Sequence, residues 1–323
     1  MSKNITQKET AATPSKVYNF CSKKKLILGV VIAVLLTFIV GAIIRGIHLA
    51  IEFKGGTLIT YSYQGDINTN DVASTVKDIV GSSVTVRTGE SLDSGGKQIT
   101  ISFTSDQGLT ADRQTELTTA LRDKFTENAL EIYDSNDVSP SSGREFLLKC
   151  LIAVLFAAFI VIVYIAIRFR NIGGWSAGLC SIFALCLDLL VAFTATVVCG
   201  FNIDSNIVAV FLTILGYSIN NTIVIYDRIR ENRKLMPKAS LNELINVSCT
   251  QSLTRSIRTS ITTIGTMLIV TIVVLVTGYD SLLSFSVPLM MGLISGTFSS
   301  LFVAPVTWSW WKNRAAAKEK NSK

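Results

Sequence analysis

Five polar side chains stand where the surrounding sequence is hydrocarbon: Asp188, Asn220, Asn221, Arg255 and Arg258. Asp188 lies in Leu185-Cys186-Leu187-Asp188-Leu189, in the middle of an apolar run. An isolated carboxylate in such a run must face other helices, find a partner or hold a proton. It could serve as a hydrogen bond between helices or as a station for a proton or cation. Asn220 and Asn221 cannot carry a proton at physiological pH. Their carbonyl oxygens can coordinate a cation, and their amides can bridge helices. Arg255 and Arg258 open another apolar run, which continues through Thr259, Ser260, Thr262, Thr263 and Thr266. That hydroxyl-rich face suits close helix packing or a hydrated path. Snorkelling to headgroups accounts for Arg255 more easily than for Arg258, nearly a turn deeper.

Enzymatic chemistry has little support. The single histidine, His48, sits beside the first apolar run, and no nucleophile–base pair or metal-ligand spacing accompanies it. No catalytic residue, metal or cofactor is therefore expected. The six cysteines, Cys21, Cys150, Cys180, Cys186, Cys199 and Cys249, avoid residues 45–143 and form no C-x-x-C pair. They are expected to act as small buried hydrophobes.

Six apolar runs must position these groups. Residues 1–22 are polar and are expected to form a disordered tail. Lys23-Lys24-Lys25 then leads into Leu26–Ile44, which is long enough to span a bilayer core and is read as an uncleaved first helix. The others run over 147–167, 175–199, 207–226, 257–276 and 282–311. The chain has 323 residues, 49% of them hydrophobic and 16% charged, which suits a polytopic α-helical membrane protein. The loops after the third and fifth runs carry no Lys or Arg, whereas the opposite loops and both termini are basic. The positive-inside rule then places both termini in the cytoplasm and the segment after the first helix outside. The net charge of +7 divides unevenly. Residues 45–143 hold eight Lys/Arg against fourteen Asp/Glu, a net of −6, and the remainder hold twenty-two against nine, a net of +13. The basic excess belongs to the membrane part, so nucleic-acid binding is not expected.

Within 46–143, Ile59, Tyr61 and Tyr63 alternate as in a half-buried strand, and Val72, Val76, Ile79 and Val80 have helical spacing. Two short strands, 84–86 and 99–103, flank a turn at Ser94-Gly95-Gly96. A second helix through Leu117, Leu121 and Phe125 precedes a last strand at 130–133. This βαββαβ order predicts an extracytoplasmic α+β domain of ferredoxin-like form between helices 1 and 2. The chain thus divides into a tail (1–22), a first span (23–45), the outer domain (46–143), a five-helix bundle (144–312) and a basic cytoplasmic tail (313–323). Phe53-Lys54-Gly55-Gly56 follows the alternating run Ile47, Leu49, Ile51 and Phe53 where span meets domain. Its glycine pair permits positive φ or close packing, and an ordinary turn is the alternative. A hinge is expected there and at Ser139–Gly143.

Residues 216–231 read G-Y-S-I-N-N-T-I-V-I-Y-D-R-I-R-E, from the fourth run into a charged end. Tyr217, Asn221, Val224 and Arg228 share one helical stripe, and Gly216, Asn220, Ile223 and Asp227 share the next. The whole order resembles SecF, the smaller half of the SecD–SecF protein-export accessory. The resemblance rests on Phe53-Lys54-Gly55-Gly56, on Gly216–Asn220 followed by Asp227-Arg228-Ile229-Arg230-Glu231, on Asn246-Val247-Ser248 and on Gln251–Arg255, and it covers about residues 24–312. It implies an accessory subunit that uses the ion-motive force, with a SecD-like subunit, to promote translocation after the ATP-driven step. It also implies the SecYEG channel and YajC as partners, a translocating polypeptide as cargo, and the bacterial cell membrane with its lipid as the setting.

The fold is further similar to that of RND transporters, so an RND-type exporter of small molecules or lipids is the rival function. The resemblance makes Arg255 an ion-path residue and matches Asp188 to a family aspartate. Asn221 departs from the pattern, because the family has a titratable aspartate there, and Arg258 adds an unexpected charge. Either the relay belongs to the SecD-like partner and this subunit is a non-transducing scaffold, or the path runs on sodium or through Asp188.

Overall fold

The computed structural model describes residues 17–81, 84–90, 96–103, 110–277 and 280–321. The first span, α1 (Lys24–Arg45), is followed by a single helical turn, α2 (Ile51–Lys54). Next come β1 (Gly56–Tyr63), α3 (Thr69–Val80), β2 (Val84–Glu90), β3 (Lys97–Phe103), α4 (Ala111–Lys124) and β4 (Glu131–Val138). The membrane part continues through α5 (Pro140–Arg168), α6 (Gly174–Cys199), α7 (Asn206–Leu235) and α8 (Leu241–Thr277). It closes with α9 (Asp280–Phe298), a π-helical turn (Ser299–Val303) and α10 (Ala304–Asn321). Among the described residues, six helices are long and apolar enough to cross a membrane, the last running from Leu282 to Lys318. The chain is a multi-pass membrane protein.

The sheet has the order β2-β3-β1-β4 with every neighbour antiparallel. Alternation in β1 turns Ile59 and Tyr61 inward, opposite Ile101 and Ile99 of β3. Val72 and Val76 of α3, with Leu117 and Leu121 of α4, complete the core. The buried Tyr61 hydroxyl meets Thr118 Oγ1 at 3.1 Å, so that oxygen is not stranded. Asn68 caps α3 by accepting a bond from the Asn70 amide. Of the turn expected at Ser94-Gly95-Gly96, the first two residues lie outside the described residues.

The alternating run before the glycine pair does not make a strand. Leu49 forms one isolated parallel bridge to Ile203, and Ile51 to Lys54 turn into α2, with Ile51 and Phe53 both buried. Residues 17–22 are likewise docked, where a disordered tail was expected. The Phe20 and Cys21 amides both donate to Asn246 Oδ1, at 2.9 and 3.1 Å, and the Phe20 ring lies 5.1 Å from that of Phe302. The polar composition of 1–22 taken whole concealed the apolar stretch at its end, whose two buried side chains, Phe20 and Cys21, have partners more than 200 residues away. Residues 1–16 lie outside the described residues.

Domain and bundle pack closely where the glycine pair crosses the start of α5. Gly55 has φ 84°, and a Cβ there would lie 2.6 Å from the Pro140 backbone; one on Gly143 would lie 3.0 Å from the backbone of Phe53 and Gly55. Pro140 occupies the first turn of α5, where its missing N–H leaves no bond unmade, and Ser139 caps that turn. The two segments read as hinges are thus a single crossing of closely packed backbone, with Phe53 stacked on Phe146 at 5.6 Å. A second tie joins the same strap to the loop between α6 and α7. The Ala50 amide donates to Ile203 O, the Ile203 amide to His48 O, and the Ser205 amide to Glu52 Oε2 at 2.8 Å. Asp204 accepts from the Asn206 amide and from Ser284 Oγ. Burial, and next the charge of Glu52, push its carboxyl above the usual carboxylate range, against the Ser284 hydroxyl, the Asn206 amide and Arg87 of β2.

Gly55→Ala should combine strain of ~1–3 kcal/mol at positive φ with a backbone collision. Limited proteolysis should therefore cut within 46–143 far faster in that variant than in the parent; equal rates refute the close joint. A raised Asp204 pKa means that the docked strap holds its proton more tightly than an undocked one. Docking is then strongest below the ordinary value of about 3.9 and weakens as pH rises through the raised one. Amide-exchange protection at Ala50, Ile203 and Ser205 should fall as pH rises above the ordinary carboxylate range, and Asp204→Asn should flatten that dependence.

Candidate functional site

Asp188 lies on α6 with 0% exposure and is enclosed by hydroxyls. Ser218 of α7 donates to Oδ2 at 2.6 Å, Ser299 of the π turn donates to Oδ2 at 2.7 Å, and Ser295 of α9 donates to Oδ1 at 2.6 Å. Three charge-assisted hydrogen bonds of ~1.5–3 kcal/mol each offset much of the desolvation that burial imposes on a carboxylate. The cage requires close helix approach, which Gly296 permits. A Cβ there would lie 3.2 Å from Ser218 Cβ and 3.6 Å from Asp188 Oδ2. The π turn begins at Ser299, one helical turn after Ser295.

Asn221 is also inside, 4% exposed, and among the described residues its amide nitrogen meets no acceptor. Asn220 points outward and is exposed. The two adjacent amides, indistinguishable by type, are therefore separated by the 100° step of the helix. Tyr217 Oη and Thr297 Oγ1 both donate to Ser260 Oγ, which ties α7, α8 and α9 together. Arg255 and Arg258 are exposed on α8, and neither reaches the Asp188 cage. Arg255 instead lines a cavity of about 600 Å3 at the charged ends of α7 and α8, with Asp227, Arg228 and Glu231.

The charged end of α7 is a structural lock. Asp227 Oδ1 pairs with Arg168 of α5 at 3.0 Å and with Arg230 at 2.9 Å. Arg228 Nε donates to Gln251 of α8 at 2.7 Å, its guanidinium pairs with Glu231, and Asn232 Nδ2 donates to Ser248 and Gln251. Toward the opposite end, Ala192, Val210, Ile214, Leu289 and Leu293 form an apolar cluster between α6, α7 and α9. Sequence reasoning missed Ser218, Ser295 and Ser299. Ser218 stood inside the G-Y-S-I-N stretch, and Ser295 and Ser299 share one helical face at the i, i+4 spacing, but the same run carries Ser284, Ser286, Thr297, Ser300, Thr307 and Ser309, among which the pair does not stand out.

Phe53, Gly55 and Gly56 sit at the domain joint, far along the chain from this cage. Among the described residues, no group of three or more His, Cys, Asp or Glu could hold a metal ion.

Comparison with known proteins gives these features a family. The model for the family described as "Protein export membrane protein SecD/SecF, C-terminal" matches residues 117–314, and that for the "SecD/SecF GG Motif" matches residues 40–67. SecF of Alicyclobacillus acidocaldarius is 34% identical over 277 residues, covering 84% of this chain and 86% of that protein. SecF of Rhodothermus marinus is 30% identical over 292 residues, covering 88% and 90%. SecDF of Bacillus subtilis is 31% identical over 313 residues, and this chain spans 40% of its length. The crystal structure of SecDF from Thermus thermophilus superposes with a TM-score of 0.75 at 26% identity, over 93% of this chain and 39% of that one. The chain belongs to the SecD/SecF family of protein translocase subunits, and it matches the SecF members over nearly their whole length.

Proposed function

We propose that this chain is the SecF half of an ion-driven translocase. With a SecD-like subunit it uses ion flow to move its outer domain and draw polypeptide across the membrane after the ATP-driven step. It performs no covalent chemistry. The observation that carries this reading is the three-hydroxyl cage around Asp188. As an anion, the carboxylate is satisfied by three donors. Once it holds a proton, it must itself donate, and one serine has to turn its hydrogen away. Those serines belong to α7 and to the α9–π segment, so ion occupancy changes how α6 grips both. Moving one charge across 100 mV yields ~2.3 kcal/mol, comparable with one charge-assisted hydrogen bond. One ion is therefore enough to reset the cage. Asn221 is read as its polar neighbour and not as a carrier.

The domain is read as ferredoxin-like from its βαββαβ order and the sheet order β2-β3-β1-β4. The joint at Gly55 and Gly143 is its pivot. Arg168, Arg230 and Lys312 gather at the end of the bundle opposite the loop that touches the domain. By the positive-inside rule this supports cytoplasmic termini and an extracytoplasmic domain in the bacterial cell membrane. The exposed stripe of Gly216, Asn220, Arg255 and Arg258 on α7 and α8 needs protein cover within the membrane, which a SecD-like subunit would supply. SecYEG and YajC follow from the family resemblance alone.

The second reading, a non-transducing scaffold for SecD, is favoured by the amide at Asn221. Asp188→Asn separates the two. In membrane vesicles carrying the SecD-like partner, this variant should reduce ion-gradient-stimulated translocation by about tenfold or more, while co-purification with the partner is kept. Asn221→Asp alone should leave the gradient response in place. Undiminished stimulation in Asp188→Asn sinks the transducing role and leaves the scaffold.

A further inference from the structure

A cavity of about 690 Å3 lies between α6 and α10 and shares no residue with the Asp188 cage. Its walls include Leu179 and Phe183 of α6 with Trp310, Trp311, Arg314 and Lys318 of α10. Its height in the bundle is fixed by neighbouring contacts. Trp308 Nε1 donates to Ser176 Oγ at 3.0 Å, and the Lys312 ammonium lies where a Cβ on Gly173 would be, 2.8 Å away. Trp310 and Trp311 are therefore level with the first turn of α6, beside the Arg168–Asp227–Arg230 cluster that marks the end of the hydrocarbon. Leu179 and Phe183 lie about 7 and 13 Å deeper, at 1.5 Å per residue.

The cavity is thus graded, with an apolar floor, a tryptophan belt and a cationic rim. Trp310 and Trp311 are each 45% exposed, as befits side chains at a headgroup boundary. The Arg314 guanidinium sits 4.5 Å from the centre of the Trp310 ring, which holds the charge over the mouth. Lys318 follows one turn later on the same face. Among the described residues, neither cation has a carboxylate partner and no carboxylate lines the cavity. Two uncompensated cations above an apolar floor at membrane-surface depth select an amphipathic anion.

We propose that this cavity binds an anionic phospholipid, with its phosphate between Arg314 and Lys318 and one acyl chain along Leu179 and Phe183. The site does not depend on ion transport by the chain. The test uses the full chain with its partner subunit, reconstituted in bilayers of equal phosphatidylglycerol and phosphatidylcholine and then extracted for native mass spectrometry. The parent should retain phosphatidylglycerol preferentially, and Arg314→Gln with Lys318→Gln should lower that preference about tenfold or more. An unchanged preference overturns the site. A photoreactive side chain in place of Leu179, in the otherwise unaltered protein, gives an answer even if the double variant folds poorly. Crosslinking to phosphatidylglycerol supports the proposal, and crosslinking to a protein neighbour instead overturns it.

Discussion

A carboxylate in hydrocarbon has to bring its own solvent. Asp188 does so with the hydroxyls of Ser218, Ser295 and Ser299, and the helix arrangement follows from that demand. Donors on α7 and α9 must come within 2.6–2.7 Å of a side chain on α6. Only small residues allow such an approach, hence glycine at 296 and serines in place of larger donors. The same closeness lets Tyr217, Ser260 and Thr297 link α8 to the group. Bulky apolar packing would need no such cage, but it would leave no place in the bundle for a buried carboxylate.

The two ends of the bundle are built differently around this centre. At the charged end, Asp227 is shared by Arg168 and Arg230, and Arg228, Asn232 and Gln251 bind α7 to α8. At the other end, the outer domain is held by a crossing of glycine-bearing backbone, by the strap of residues 48–52 on the α6–α7 loop, and by packing of β2 on α9. Glu52 accepts from the Ser205 amide at that strap, and Asp204 beside it accepts from Ser284 and from the Asn206 amide, contacts separate from the cage.

Much of the architecture was legible in the sequence because its signals are local. Hydrophobic length gave the six spans, alternation gave β1 and β3, and Gly55-Gly56 marked the handover from span to domain. Where local signals misled, the partners were distant. The run at 47–53 alternates like a strand, yet among the described residues it makes one bridge, from Leu49 to Ile203. The segment 1–22 reads as polar taken whole, yet its end, Val17-Tyr18-Asn19-Phe20-Cys21-Ser22, is held by Asn246 and Phe302.

The sequence alone also determined that Asp188, Asn220, Asn221, Arg255 and Arg258 needed an explanation, because residue type and depth follow from the order of the chain. Which of them share a site was decided only in three dimensions. Ser218, Ser295 and Ser299 lie 30, 107 and 111 residues from Asp188, and no periodicity reports contacts across such separations. The rotation of α7 turned Asn221 inward and Asn220 outward, and α8 carried both arginines to the exposed face. Helix rotation is set by packing against neighbours, and the neighbours exist only once the bundle has formed.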